Sequence, residues 1–145
     1  MVFTPEVKIE SISALTLDHK NPNRMNEEQI KALAKNIRKY GFLIPVITNK
    51  DGLIADGHQR IEAAKTLGMT GVPVIRLDVN EVDRKMIQQV MNKLRGEHSV
   101  QGDIDVFRFL LEENELKEMA SLLAVDEKDL LGLLNKQEVE IPAEI

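Results

Sequence analysis

Two short apolar runs, one on each side of Asn49-Lys50-Asp51-Gly52, restrict the fold of this chain more than any other feature. An Asp-Gly pair supplies the positive φ angles that a tight hairpin requires, so the two runs are predicted to pair as antiparallel strands. A helical pattern follows at residues 59–67, and the buried-looking run VPVIRL follows it at residues 72–77. These elements predict a small sheet with helices packed on it.

The helical pattern before this hairpin has both a start and a stop signal. Asn26 is placed as an N-cap, and Gln29 stands three positions later, as in a capping box. Gly41 follows Tyr40 and is predicted to end the helix there. The apolar residues between these signals have the spacing of one helix face, and they are Ile30, Leu33, Ala34 and Ile37.

Weaker patterns flank these elements. Val7, Ile9 and residues 12–17 are predicted to form short strands ahead of the first helix. Asn80 is placed as the N-cap of a later helix, with Asp83 at its third position. The apolar residues of that helix are expected to face the core, and they are Met86, Ile87, Val90, Met91 and Leu94.

Only helices are predicted after residue 96. Their apolar patterns cover three segments, residues 104–111, 116–123 and 126–134. The tail at residues 138–145 is expected to be frayed, because Pro142 and the acidic residues around it cannot continue a packed helix. We therefore expect a domain over residues 1–96 and a helical extension over residues 97–137.

The composition excludes several classes of site. The chain contains no Cys, which excludes a disulfide framework, a thiolate metal site and a cysteine nucleophile. The three His residues lack metal-ligand spacing, so a zinc site is not expected. No apolar run approaches the roughly 20 residues that span a bilayer, and the first residues do not resemble a signal peptide. A cytoplasmic protein that does not enter membranes is expected.

Charge is distributed unevenly along the chain. The net charge is −5, but residues 1–100 carry +3 and residues 101–145 carry −8. The first part can therefore meet phosphate groups, whereas DNA is expected to repel the second part. The acidic helices better suit a protein partner.

The most informative motif is DGHQR, which is predicted to turn the chain from a strand into a helix. A helix start offers backbone N–H groups and the positive end of the helix dipole, and Gly57 lets an anion approach that backbone. Arg60 adds a fork of donors that suits phosphate oxygens, and His58 and Gln59 lie between the two. A phosphate group is therefore the expected ligand of Gly57, His58, Gln59 and Arg60.

Asp56 and His58 are the candidate catalytic residues if this turn hydrolyses phosphodiesters. Asp56 would act as a magnesium ligand or base, and His58 would donate a proton. A structural interpretation stays open beside this one. In it, Asp56 caps the helix that follows Gly57. Arg60 then pairs with Glu62 or another surface acid.

Two other polar clusters are candidates for the same pocket. NPNR places Arg24 just before the first helix. NKLR places Asn92 and Arg95 at the end of the later helix, where the apolar stripe stops. Each residue also has an ordinary interpretation as a polar surface group at a helix end or turn.

The order of these motifs resembles the ParB/sulfiredoxin superfamily, which includes partition proteins, ParB-like nucleases, sulfiredoxin and a free-serine kinase. The resemblance runs from about residue 12 to residue 94 and depends on NPNR, GFLIPVI, DGHQR and VPVI in this order. It implies an α+β fold, a small mixed sheet with helices, followed here by the short all-α extension. GFLIPVI corresponds to the segment that holds the nucleotide base in partition proteins.

The same resemblance transfers roles to four residues. GHQR stands where partition proteins carry Gly-Glu-Arg-Arg to bind the triphosphate of CTP, and Gly57 and Arg60 match that motif. NKLR resembles their Glu-Asn-x-x-Arg motif, which Asn92 and Arg95 match.

Several positions differ from the family patterns. His58 and Met91 replace two glutamates of partition proteins, the first of which is linked to CTP hydrolysis, so the resemblance does not transfer CTP turnover. DGHxR is closer to the free-serine kinase, for whose catalytic glutamate this chain offers only Glu27 or Glu28. Sulfiredoxin chemistry is excluded, because its nucleophile is a cysteine.

The expected function is that of a DNA-associated ParB-like domain, of partition or nuclease type, which binds a nucleotide or nucleic-acid phosphate at DGHQR. The alternatives are a nucleotide-dependent small-molecule kinase and a non-catalytic interaction module. The expected cofactors are CTP, ATP or ADP, with Mg²⁺. The expected partners are DNA, a protein bound by the acidic helices and a second copy of the chain in a homodimer.

Overall fold

The computed structural model of the chain describes residues 2–20, 25–93, 100–113 and 115–123, together with residues 126, 128 and 132. The chain divides into two units, Met1–Arg95 and Gly96–Ile145. None of the helices in the described segments has both the length and the apolar character needed to cross a lipid bilayer.

The first unit contains a four-stranded mixed sheet. Its strands are β1 (Lys8–Ser11), β2 (Val46–Asn49), β3 (Ile54–Asp56) and β4 (Gly71–Leu77). Its helices are α1 (Glu27–Tyr40), α2 (His58–Thr66) and α3 (Glu81–Lys93), with a short 3-10 helix at Ile12–Ala14. The sheet order is β1-β4-β2-β3, in which β4 pairs antiparallel with β1 and parallel with β2. The expected small mixed sheet with helices is confirmed.

The predicted hairpin between β2 and β3 is also confirmed. Oδ1 of Asn49 accepts hydrogen bonds from the backbone N–H groups of Asp51 at 3.0 Å and Leu53 at 2.9 Å. Gly52 has φ +88°, and a Cβ at this position would collide with the backbone oxygen of Ala14. Only glycine therefore fits this turn.

The predicted capping box of α1 is confirmed as well. Oδ1 of Asn26 accepts a hydrogen bond from the backbone N–H of Gln29 at 2.8 Å, and Oε1 of Gln29 accepts one from the backbone N–H of Asn26 at 3.0 Å. The helix ends at Tyr40, and Gly41 follows with φ +91°.

Replacing Asn26 by Ala should lower the free energy of unfolding by about 1 kcal/mol, because one N–H group at the start of α1 loses its acceptor. Urea unfolding of the purified protein measures this change. Asn26→Ser keeps an acceptor oxygen and is the matched control, which should stay close to wild type. Equal losses in the two variants would contradict the prediction.

Side chains from the sheet and α2 form the main core of the first unit. The buried members of this core are Val46, Ile54, Ile61, Ala64, Val72 and Val74. A second cluster joins α2 to α1 and contains Ile30, Ala34, Ile37 and Ala63. Packing on both sides thus fixes α2, and with it the position of its first turn.

The expected strand at residues 12–17 is wrong. Ile12–Ala14 instead form the 3-10 helix, whose first turn is capped by Oγ of Ser11. Thr16 makes only an isolated parallel bridge with Leu53. The pattern of this run predicts a strand, but the hydrogen bond from the backbone N–H of Ser13 to the side chain of Ser11 favours the 3-10 helix instead.

The expectation that the apolar stripe of α3 faces the core is also wrong. Met86, Val90 and Met91 are 59%, 47% and 41% exposed, whereas Arg84 and Gln88 are buried. The side of α3 that meets β3 is polar, because Arg84 finds hydrogen-bond acceptors there. The apolar side lines an open groove of about 460 Å³ with Ile47, Leu77 and Val79.

The second unit contains α4 (Val100–Glu112) and α5 (Leu116–Leu123), which contact each other. Ile104, Ala120 and Leu122 are its buried apolar residues among those described. Most of the helix expected at residues 126–134 lies outside the described residues. Leu94 and the tail at residues 138–145 lie wholly outside them.

Candidate functional site

A left-handed glycine opens α2 immediately after β3. Gly57 has φ +113° and is the N-cap of α2, where no side chain from the cap position bonds to the first turn. A Cβ on Gly57 would lie 3.1 Å from Cγ2 of Val46 and 3.2 Å from Nη2 of Arg60. Glycine is therefore required both by the positive φ angle and by the lack of room for a Cβ between Val46 and Arg60. The helix start carries the positive end of the dipole without a capping side chain.

Arg60 joins this turn to the loop that precedes β2. Its Nε donates to the carbonyl of Ile44 at 3.0 Å, and its Nη2 donates to the carbonyl of Pro45 at 2.9 Å and to Oδ2 of Asp56 at 3.2 Å. The side chains of Arg60 and Asp56 are each 15% exposed. Asp56 thus forms an ion pair instead of capping α2, and the acid that meets Arg60 is Asp56 rather than Glu62.

The loop held by Arg60 presents apolar side chains to solvent. Leu43 is 73% exposed and Ile44 is 59% exposed, in the segment expected from the resemblance to hold a nucleotide base. The carbonyl of Ile44 is bonded to Arg60, so these side chains belong to the same local structure as the turn at residues 56–60.

His58, the first residue of α2, is buried, with 6% of its surface exposed. Its Nε2 accepts a hydrogen bond from the backbone N–H of Asp18 at 3.0 Å, which places the ring proton of the neutral form on Nδ1. Burial lowers the pKa of His58 and outweighs the opposing attraction of Asp18, while the positive charge of Arg84 lowers it further. His58 therefore favours the neutral form in the folded chain.

Acidification is expected to destabilise the fold through His58. Because the pKa of His58 is lowered from its ordinary value of 6.5, the unfolded chain binds more protons than the folded chain in the range just below that value. The free energy of unfolding should therefore fall as the pH drops through this range and should not change through His58 above it. Urea unfolding between about pH 5 and pH 8 measures the effect.

His58→Gln is the control for this pH dependence, because its amide oxygen can replace Nε2 as an acceptor but does not titrate. The variant should flatten the curve. If wild type and variant fall in parallel, the titrating group is not His58.

A buried arginine, Arg84, lies next to the turn and was not predicted from the sequence. Arg84 is 1% exposed and donates to the carbonyl of Ile54 at 2.7 Å and to Oδ2 of Asp18 at 2.9 Å. It also makes two bonds to the carboxylate of Glu81, at 2.6 and 2.8 Å. Burial alone would raise the pKa of Asp18, but hydrogen bonds from the Lys20 backbone and Arg84 lower it. Asp18 and Arg84 are 66 positions apart, so no local pattern connects them.

Five of the predicted residues, 56–60, lie together at the end of β3 and the start of α2. Arg60 contacts Asp56 and lies beside Gly57, whereas the ring of His58 bonds to the Asp18 backbone. Asn92 is half-buried near the end of α3. Arg24 and Arg95 lie outside the described residues.

Metal binding by protein side chains alone is not supported in the part of the chain that the structure describes. No group of three or more His, Cys, Asp or Glu side chains there could hold an ion. Asp56 offers a single carboxylate, so a cation at this turn would need further ligands from a bound phosphate.

Residues 3–93 match the ParB N-terminal domain family. The chain belongs to this family. Among curated relatives, the chromosome-partitioning protein ParB of Myxococcus xanthus is 31% identical over 94 residues, which cover 63% of this chain and 32% of that protein. An uncharacterised protein, ORF326b of Acidianus two-tailed virus, is 31% identical over 96 residues, covering 66% of this chain and 29% of that protein. The chain thus spans about a third of the length of these relatives.

The ParB-family fold is also found among solved structures. Truncated ParB from Caulobacter crescentus, complexed with CTP-γ-S, superposes with a TM-score of 0.75 over 89% of this chain and 77% of that chain. The two sequences are 20% identical, so the likeness establishes the fold. The family match over residues 3–93 confirms the resemblance inferred from the order of the motifs.

Proposed function

We propose that this ParB-family domain binds the phosphate groups of a nucleotide at Gly57, His58, Gln59 and Arg60. The observation that carries the proposal is the left-handed Gly57 at the start of α2, which leaves the first turn without a capping side chain next to the guanidinium of Arg60. An anion at such a position gains hydrogen bonds from backbone N–H groups and a favourable helix dipole. The related Caulobacter protein was solved with a CTP analogue, which supports a nucleotide as the ligand.

Arg60 would exchange one partner when phosphate binds. Its bond to Asp56, at 3.2 Å, is longer than its two bonds to the carbonyls of the preceding loop. A nucleotide di- or triphosphate carries more negative charge than the single carboxylate of Asp56, so one of its oxygens can replace Asp56 on Nη2. The base of the nucleotide would then lie against the exposed side chains of Leu43 and Ile44.

Three more residues are proposed to reach the phosphates from other elements. They are Arg24, in the segment before α1, and Asn92 and Arg95, at the end of α3 and beyond it. Magnesium carried by the nucleotide would bind to Asp56 once Arg60 has released that carboxylate. One carboxylate together with phosphate oxygens is the donor set that Mg²⁺ commonly takes in nucleotide sites.

A separate proposal concerns catalysis and involves only Asp56 and His58. In phosphodiester hydrolysis Asp56 would hold the cation or act as base, and His58 would donate a proton. Nε2 of His58 already accepts a hydrogen bond from the Asp18 backbone, so the ring would have to be protonated at Nε2, with loss of that bond, before it could transfer a proton. His58 would bind phosphate through its backbone N–H, which His58→Gln keeps, so loss of hydrolysis without loss of nucleotide affinity in this variant would support the catalytic role of the side chain.

A DNA-associated setting follows from the family rather than from the turn. The Myxococcus relative is a chromosome-partitioning protein. We propose that the first unit, which lies in the net positive part of the chain, approaches DNA. The acidic helices would bind a protein partner or a second copy of the chain.

Calorimetric titration with CTP, ATP and ADP in the presence of Mg²⁺ tests the binding proposal. Arg60→Ala should weaken nucleotide binding by about tenfold or more, since a hydrogen bond to a charged group contributes about 1.5–3 kcal/mol. Arg38→Ala removes the same charge from the exposed side of α1 and should bind like wild type. If Arg60→Ala also binds like wild type, the proposed site is wrong.

The same protein titrated with a DNA duplex over a salt series distinguishes the biological settings. Affinity for DNA that falls steeply with salt supports the partition or nuclease type. Release of ADP or AMP that depends on a small hydroxylated substrate supports the kinase alternative.

A further inference from the structure

We infer that Asp18 and Arg84 are positioning residues of the turn at residues 56–60, here called the phosphate turn. This inference rests on the proposed function. Together the two residues hold the segment at residues 15–20 against the first residue of α2. This segment leads directly into residues 21–24, where Arg24 is proposed to reach the phosphates.

Asp18 contacts three parts of the fold at once. Its backbone N–H donates to Nε2 of His58 at 3.0 Å. Its Oδ1 accepts from the backbone N–H of Lys20 at 2.9 Å, and its Oδ2 accepts from Nη2 of Arg84 at 2.9 Å. One side chain therefore orients the turn at residues 18–20, while the backbone of the same residue is fixed to the start of α2.

Arg84 provides the fixed point for this arrangement. Its guanidinium is buried and donates to the carbonyl of Ile54, two positions before Asp56 in β3. A buried guanidinium cannot leave its acceptors without a large loss of free energy, so it holds Asp18 in one place relative to β3. Both sides of the phosphate turn are thus connected to Asp18: β3 through Arg84 and the Asp18 carboxylate, and His58 through the Asp18 backbone N–H.

The hairpin holds the other end of the segment. The backbone N–H of Thr16 donates to the carbonyl of Gly52 at 2.8 Å, and the carbonyl of Thr16 accepts from the N–H of Ile54 at 3.0 Å. The segment is therefore bonded at two points, Thr16 and Asp18. Fixing a binding loop before the ligand arrives reduces the entropy that binding must supply.

Asp18→Ala and Glu81→Ala form a matched pair that tests the inference. Both variants remove one carboxylate from Arg84, but only Asp18 also bonds to the Lys20 backbone. Nucleotide affinity should fall about tenfold in Asp18→Ala, as expected when a binding loop loses its preorganisation, and should stay within about twofold of wild type in Glu81→Ala. Asp18→Asn keeps one of the two acceptor oxygens, because its amide NH2 replaces the other, and should recover part of the affinity.

Thermal unfolding of each variant shows that the folded protein is being titrated. Equal losses of affinity in Asp18→Ala and Glu81→Ala would overturn the inference, because the network would then act only on stability. Failure of Asp18→Asn to recover any affinity would also count against it.

A second measurement separates this inference from the proposed function. The ¹⁵N spectrum of the His58 ring reports whether Nε2 is the unprotonated acceptor, and it does not depend on nucleotide. Asp18→Ala should convert His58 to a mixture of tautomers, whereas Glu81→Ala should keep the wild-type spectrum. If no nucleotide binds to wild type, the proposed function fails, and an unchanged His58 spectrum in Asp18→Ala independently overturns the positioning role.

Discussion

Gly57→Ala should lose nucleotide binding and part of its stability together. The residue would have to keep φ near +113°, an angle that costs a residue with a Cβ about 1–3 kcal/mol. The new Cβ would also lie 3.1 Å from Cγ2 and 3.3 Å from Cα of Val46, the first residue of β2. Because Val46 is fully buried, β2 cannot shift without disturbing the core.

The effect on binding has a different origin. The added methyl group would lie 3.2 Å from Nη2 of Arg60, the group proposed to meet phosphate. We expect the affinity for Mg²⁺-nucleotide to fall by more than about tenfold, measured by calorimetry under conditions in which the variant is folded.

Gly68→Ala is the control for this variant. Gly68 also has positive φ, +73°, but a Cβ there would meet no atom within 4 Å. This variant should lose stability by about 1 kcal/mol from backbone strain and should bind nucleotide like wild type. Normal binding by a folded Gly57→Ala protein would show that phosphate does not approach this backbone.

Arg84→Met is expected to have the largest effect on stability. Methionine fills part of the volume of the arginine side chain but leaves the carboxylate of Asp18 and the carbonyl of Ile54 without their donor. Removing one partner from a buried ion pair costs about 3–5 kcal/mol, since the other group stays buried and uncompensated. Urea unfolding at neutral pH measures the loss.

Arg76→Met is the matched comparison. Arg76 also pairs with a carboxylate, that of Glu10, and also donates to a carbonyl, that of Lys50 at 2.8 Å. Its side chain is 31% exposed, so water can replace its bonds, and the substitution should cost about 1 kcal/mol or less. Similar losses at the two positions would show that burial does not determine the contribution of Arg84.

Local signals predicted much of the fold correctly. Asn26 and Gln29 predicted the start of α1, and Asn49-Lys50-Asp51-Gly52 predicted the hairpin, because both depend on residues within four positions of one another. The buried side of α3 was predicted wrongly for the opposite reason. Periodicity assumes that apolar residues are inside, whereas Arg84 is buried through acceptors that come from distant parts of the chain.

In the candidate site, too, local features could be predicted from the sequence and contacts between distant residues could not. Gly57 and Arg60 are visible in a five-residue motif, and in the structure they lie beside each other in one turn. The partner of His58 could not be predicted, because the Asp18 backbone lies 40 positions away and any residue type provides an N–H group. The ion pair between Asp56 and Arg60 required knowledge of side-chain direction, which four-residue spacing alone does not supply.

The central position of β4 has a consequence for synthesis on the ribosome. β4 lies between β1 and β2, yet it is the last strand of the sheet to be made, ending at Leu77. Until it emerges, β1 has no neighbour in the sheet and β2 lacks the neighbour that later covers its open edge. At about 5–20 residues per second, the nascent chain exposes unpaired strand edges for several seconds, which is the interval in which chaperones would act on it.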